Sequence, residues 1–205
     1  MLQSPSSLNL VVAGRKLRFL RVPLAFIAHG LTDVFAKKNN KSLRETLEHP
    51  RYKSLSDPVI RQHTDAMDVP LGAFLADLKS RGNELYRRFL NPHGDRTYCQ
   101  FRMADGPAKR QKGLYVYALG DEVVYVGRSF DPFSKRIDQG YGKIHPKNCF
   151  IDGQSTNCHL NSLIEAQDEE VALFVCPLTN DPEIESIERS LIQGRRPPWN
   201  TALAS

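Results

Sequence analysis

Two tyrosines and one glutamate are the residues of this chain whose types and spacing could do chemistry. Tyr115 and Tyr125 lie in two short runs, Gly113-Leu114-Tyr115-Val116-Tyr117-Ala118-Leu119 and Val123-Val124-Tyr125-Val126-Gly127-Arg128, which flank Gly120-Asp121. Two such runs about a Gly-Asp pair spell a β-hairpin. Side chains alternate along a strand, so Tyr115 and Tyr117 share one face while Leu114 and Val116 take the other. On the second strand Val123, Tyr125 and Gly127 alternate with Val124, Val126 and Arg128. Phenol hydroxyls thus sit on both strands, either as core tyrosines or as groups that handle water. Glu188 poses the complementary problem. It follows Ile184 by four residues and joins Ile187 and Leu191 on the apolar side of a closing helix. A carboxylate on a packed face costs several kcal/mol unless a cation or donors meet it. A structural ion pair answers that need, and so does a divalent metal, which favours carboxylate and water oxygens.

The elements that must position these groups follow from local punctuation. Asp131-Pro132 opens a helix through Phe133, Arg136 and Ile137. A polar loop follows, and Leu160, Leu163 and Ile164 mark a second helix. Val171 to Cys176 is a short apolar run that reads as a buried strand ended by Pro177. Asp181-Pro182 repeats the cap before the closing helix, which runs through Ile184, Ile187, Leu191 and Ile192 to Gly194. Earlier in the chain, residues 8 to 21 are expected to form a strand or hairpin and 22 to 37 a helix. Leu71, Phe74, Leu75, Leu78, Leu85, Tyr86 and Phe89 recur at helical steps, with Gly82 weakening the middle. Residues 91 to 112 are turn-rich and basic, and a boundary is expected there. The expectation is an α/β (α+β) fold: a small three-stranded antiparallel sheet flanked by helices, preceded by a mostly helical, basic N-terminal region. The domains are then residues 1–110 and 111–205.

Charge follows the same division. Residues 1 to 112 hold 20 Lys and Arg against 10 Asp and Glu; residues 113 to 205 hold 8 against 13. A +10 block beside a −5 block suggests a part that holds a polyanion and a part that binds a cation or does chemistry. Lys79, Arg81, Arg87, Arg88, Lys109, Arg110 and Lys112 are the candidate DNA contacts, with a solvated basic face as the alternative. The first thirty residues carry Arg15, Lys16, Arg18 and Arg21 and no acidic residue. Their apolar run is short and broken by Pro23 and His29, which speaks against a targeting segment. Four scattered cysteines suit a reducing, cytoplasmic setting, and no apolar run is long enough to span a membrane. His145, Cys149, Cys158 and His159 lack a Cys-x-x-Cys pair and make a poor zinc set.

Gly113-Leu114-Tyr115 and Tyr125-Val126-Gly127 resemble the two signature tripeptides of the GIY-YIG nuclease superfamily. Arg136 matches the family's helix arginine, Glu188 with Leu191-Ile192 its Glu-x-x-Leu-Ile element, and Pro197 with Asn200 its Pro-x-x-Asn ending. The resemblance covers residues 113 to 200. It implies a metal-dependent DNA endonuclease with one Mg²⁺ or Mn²⁺ held by Glu188 and a phosphate clamped by Arg136. It further implies water positioned or deprotonated by Tyr115, water or phosphate oriented by Tyr125, and the tyrosine strands braced by Asn200. Arg128 stands where several relatives carry a lysine that serves as base. Arginine keeps its proton, so that role falls to Tyr115 or to water at the metal. The chain departs from the pattern where relatives place His or Tyr four residues after the arginine. That position is Gly140, and Tyr141 and His145 are the candidates for a second proton-handling group. Site-specific cleavage is the expectation, with structure-specific repair, RNA cleavage and non-catalytic DNA binding as alternatives. One metal site cuts one strand, so double-strand cleavage needs a homodimer or two successive events.

Overall fold

The computed structural model describes residues 5–167 and 171–201. The chain forms two compact units, each assembled from separate segments. The first takes Met1–His29, Cys99–Lys143 and Leu163–Ser205; the second takes Gly30–Tyr98 and Ile144–Ser162.

The first unit is built on a five-stranded sheet. Strands β1 (Ser7–Val12) and β2 (Arg15–Val22) form an N-terminal hairpin. Its two-residue turn, Ala13-Gly14, has positive φ at both positions (48° and 76°), the twist that closes tight hairpins. Along β2, Leu17, Phe19 and Val22 are buried while Lys16, Arg18 and Arg21 are exposed, so the basic residues are the outward half of an alternating strand. Strands β3 (Leu24–Leu31) and β4 (Tyr98–Met103) form a separate two-stranded sheet. Strands β5 (Gly113–Leu119), β6 (Glu122–Ser129) and β7 (Val171–Pro177) complete the larger sheet in the order β1-β2-β7-β5-β6, every pairing antiparallel.

This corrects the expected three-stranded sheet. β7 does not end the sheet: Leu20, Arg21 and Val22 of β2 pair with Val175, Phe174 and Leu173. The expected helix over 22–37 is also replaced, by strand β3 and a 3-10 turn at Val34–Lys37. The apolar run there alternates, with Leu24, Phe26 and Ala28 turned inward and Ala25, Ile27 and His29 outward, a two-residue period that no helix face uses. The N-terminal segment is therefore not mostly helical.

Helices dominate the second unit: α1 (Leu43–Leu47), α2 (Lys53–Gln62) and α3 (Leu71–Ser80), followed by a 3-10 turn at Glu84–Phe89. Gly82 breaks the expected longer helix, taking φ +71°, and Asn83 caps the next turn by accepting from the Leu85 N–H. Phe35, Leu43, Leu71, Leu75, Phe89, Tyr98 and Phe150 form its core. Helix α4 (Ser155–Glu165) leads back toward β7, and α5 (Asp181–Arg195) packs Ile184, Leu191 and Ile192 on Leu114, Val116, Val126 and Phe174. Among the described residues, no helix is long and apolar enough to cross a membrane.

Candidate active site

The β5–β6 hairpin carries the tyrosines in a fixed register. Tyr117 faces Tyr125 across the pair, Tyr115 faces Gly127, and Leu114 faces Arg128. Gly127 is required by its partner. A Cβ there would lie 2.5 Å from the ring and hydroxyl of Tyr115, so only hydrogen at this position lets that ring lie across the strand. Gly113 is required by its backbone, with φ +140° and a Cβ position that overlaps the Cys176 carbonyl.

The register shifts between Tyr117 and Ala118, leaving Val124 as the extra residue of a bulge. Its carbonyl accepts the backbone N–H of Trp199 at 2.9 Å. One residue on, the Asn200 side chain accepts from the Val126 N–H (2.9 Å) and donates to the Val126 carbonyl (2.8 Å). β6 is the last strand of the sheet, so the C-terminal tail satisfies an edge that would otherwise be open. Asn200 thus fixes the peptide between Tyr125 and Gly127.

Arg136 and Tyr141 arrive on a π-helix, Lys135–Tyr141. Its wider turn sets the placement of Tyr141. With five residues spanned per hydrogen bond, Tyr141 returns to the face of Arg136 that a residue four later holds in an α-helix. Gly142 donates to Ile137 at 2.6 Å, and strand β4 holds the wide turn in place: Phe101 N–H donates to Gly142 O, and Met103 N–H to Asp138. Tyr115 and Tyr141 share a hydroxyl hydrogen bond (2.8 Å), and Tyr141 and Tyr125 another (3.3 Å). Arg136 donates from Nε to the Tyr115 hydroxyl (3.3 Å) and lies over the Tyr141 ring at 4.6 Å.

Tyr115, Tyr117 and Tyr141 are fully buried. Burial pushes the Tyr115 phenol well above its ordinary pKa, Tyr125 adds to the rise, and Arg136 opposes it without winning. Tyr115 therefore keeps its proton and would make a poor base. Burial likewise raises Tyr141 and Tyr117. Tyr117, on the same strand face as Tyr115, completes the aromatic cluster, and its hydroxyl has no hydrogen-bond partner among the described residues.

Glu188 is 9% exposed and meets a cation from its own chain. Arg128 Nη1 donates to Glu188, while Nη2 donates to Glu185 at 3.2 Å. Burial raises the Glu188 carboxyl above its usual range, and Arg128 pulls it part of the way back. Glu185, three residues before Glu188, was missed in the sequence; its helical spacing was the available signal. Arg128 and Tyr125 point to opposite faces of β6 with Gly127 between them. The chain thus gathers Tyr115, Tyr125, Tyr141 and Arg136 on one side and Arg128, Glu185 and Glu188 on the other. The donor set fits a hard cation, since Mg²⁺ takes one or two carboxylates and keeps several waters, on condition that Arg128 releases Glu188.

Several residues expected at the site have other commitments. Lys79 pairs with Asp33 and Asp95, Arg81 with Asp77, Arg87 with Glu84, Lys109 with Asp105 and Asp138, and Lys112 with Asp181. Arg88 and Arg110 are exposed. His145 belongs to the second unit, exposed at the start of a 3-10 turn. The four cysteines are buried free thiols, and among the described residues no three His, Cys, Asp or Glu side chains gather as a metal site. Comparison of the chain with protein-family models, with curated proteins and with solved structures gives no match.

Proposed function

We propose that the first unit is the catalytic part of a metal-dependent DNA endonuclease of the GIY-YIG kind, cutting at specific sites. The observation that carries the reading is the state of Arg136. Its guanidinium is pinned through Nε on Tyr115 and stacked on Tyr141, and its two outer nitrogens make no hydrogen bond among the described residues. A planar fork held at one corner and open at the other two suits a phosphate oxygen.

Glu188, with Glu185 beside it, would hold Mg²⁺ or Mn²⁺. Such an ion, when bound, polarises the phosphate and stabilises the departing oxygen. The chain's own residues do the rest. Arg136 offsets charge that builds on the phosphate, which would reach both Arg136 and Glu188 across β6, the edge strand of the sheet, and the linked hydroxyls of Tyr115, Tyr141 and Tyr125 orient water by hydrogen bonding while keeping their protons. Asn200 keeps the strand from shifting beneath them. Arg128 holds Glu188 in place and must yield it when the cation arrives.

Supercoiled plasmid incubated with Mg²⁺ or Mn²⁺ tests this reading. Wild type should nick, and Glu188→Gln and Arg136→Gln should leave the plasmid intact. If wild type and Glu188→Gln leave equal amounts of intact plasmid under every condition, the enzyme reading is lost. RNA run in parallel separates a ribonuclease, and sequencing the cut ends tests site preference. A second reading, a non-catalytic DNA-binding protein, is favoured by two observations: the full burial of Tyr115 and Tyr141, and the occupation of Glu188 by Arg128. It predicts a gel shift with no cleavage by any variant.

A further inference from the structure

The second unit contains a small basic cavity of about 90 Å³, lined in part by Lys38, Lys41, His49, Tyr52, Lys147 and Asp152. We propose that this cavity binds a phosphate monoester or inorganic phosphate, a site distinct from the hairpin of the first unit and independent of the nuclease reading.

Lys38 is the centre of the argument. It is 7% exposed, yet among the described residues its ammonium makes no ion pair and no hydrogen bond. The ammonium lies over the face of Phe150, 4.2 Å from the ring centroid. The backbone holds it there deliberately: its N–H donates to Phe35 O, and its carbonyl accepts from the Gly72 N–H at the start of α3. A Cβ on Gly72 would overlap Ala36 O, so glycine is what allows this clamp to close. Burial lowers the Lys38 pKa, Asp152 opposes that, and Lys147 and Lys41 add to it. Buried ammonium groups normally find a partner, because the desolvation cost is otherwise uncompensated.

The charge balance identifies the ligand. Three lysines face one carboxylate, leaving an excess of two positive charges. Asp152 is already engaged as acceptor from the Tyr52 hydroxyl (2.6 Å), which fixes its orientation. His49 Nδ1 accepts from the Arg51 N–H, leaving Nε2 as its remaining polar atom. An excess of two matches a phosphate dianion better than a singly charged carboxylate or phosphodiester. Lysines suit it, acting as point charges where no planar fork is needed. The volume admits a phosphate group and excludes a nucleoside, so any larger part of the ligand lies outside.

Calorimetric titration of the full chain at low ionic strength, where screening is weakest, tests the assignment. Inorganic phosphate should bind saturably; Lys38→Met should weaken binding by about tenfold or more, as expected when one partner of a desolvated charge contact is lost, and Lys147→Gln, at an exposed position, should weaken it measurably but less. Arg18→Gln, at an exposed position in the other unit, should leave it unchanged. A short oligonucleotide with a 5′-phosphate, compared with its 5′-hydroxyl counterpart, identifies the source. Tighter binding than inorganic phosphate assigns the site to a nucleic-acid end, and equal binding assigns it to free phosphate. Absence of saturable binding by either probe overturns the proposal, as does binding that both lysine variants leave intact. Lys147 is exposed, so its variant carries the test if Lys38→Met fails to fold.

Discussion

Asn200 is the side chain whose removal gives the sharpest reading of the hairpin's support. It makes two short hydrogen bonds to one residue, accepting from the Val126 N–H at 2.9 Å and donating to its carbonyl at 2.8 Å. Val126 has no exposed surface. Asn200→Ala therefore leaves a buried donor and a buried acceptor on an edge strand without partners. At roughly 1–2 kcal/mol each, with water at the strand edge holding the cost to the lower part of its range, the loss is about 2–4 kcal/mol. For a chain of this size that lowers the melting temperature by about 4–16 °C. Asn200→Asp discriminates further. Its carboxylate still accepts from Val126 N–H but sets a second oxygen against the Val126 carbonyl, so at neutral pH it should be as damaging as alanine. Protonation restores a donor. The introduced carboxyl thus has a raised pKa in the folded state, and its stabilising contribution is present at low pH and lost as pH rises through that value. The chain's one tryptophan, Trp199, is the adjacent residue, and its fluorescence during urea unfolding reports this spot directly. If both variants stay within about 0.5 kcal/mol of wild type, the range of an ordinary surface substitution, the bracing role is refuted.

Tyr117→Phe removes a buried hydroxyl that has no hydrogen-bond partner among the described residues, so stability should hold or rise by about 1 kcal/mol; a clear loss by urea titration would mean the hydroxyl has a partner in solution. Gly113→Ala combines a φ of +140° with overlap on the Cys176 carbonyl. It should cost about 3 kcal/mol or more, and near-wild-type unfolding would count against the β5–β7 geometry. Arg128→Met should free Glu188, and Mn²⁺ titrated into the protein without DNA should bind about tenfold more tightly, the scale of one lost competing contact. Unchanged Mn²⁺ affinity would show that Arg128 does not compete for that carboxylate.

Where spacing alone specifies structure, the sequence was readable. Alternation in β5 and β6, the continuous apolar run of β7 and the apolar stripe of α5 follow from neighbours a few residues apart, and the stripe places Glu188 on a packed face. What failed depended on distant partners. Leu20 pairs with Val175, far along the chain, and nothing near either residue announces the pair. Residues 22 to 28 are apolar enough for helix or strand, and only the alternation of Leu24, Phe26 and Ala28 favours the strand. β4 hid within a turn-rich stretch, although Tyr98, Cys99, Phe101 and Met103 are all buried. The π-helix was beyond reach because a one-residue widening leaves no periodic mark. Tyr141, one place after Gly140, lies beside Arg136 because of that widening. Spacing alone leaves the partner of Glu188 open between a metal and a cationic side chain, and the structure supplies Arg128.

The position of β7 between β2 and β5 has a consequence for how the chain assembles. Both N-terminal and central hairpins can close from local contacts soon after synthesis. Neither can join the other until residues 171–177 emerge and insert between them. Until then Arg15–Val22 and Gly113–Leu119 each present an unpaired main-chain edge, and contacts this distant in sequence form slowly. A nascent chain stalled before β7 is thus the species most exposed to aggregation. Cutting away residues 1–110 is no neutral truncation either: it strips β2 from β7 and leaves that newly bared edge to pair with whatever strand it meets.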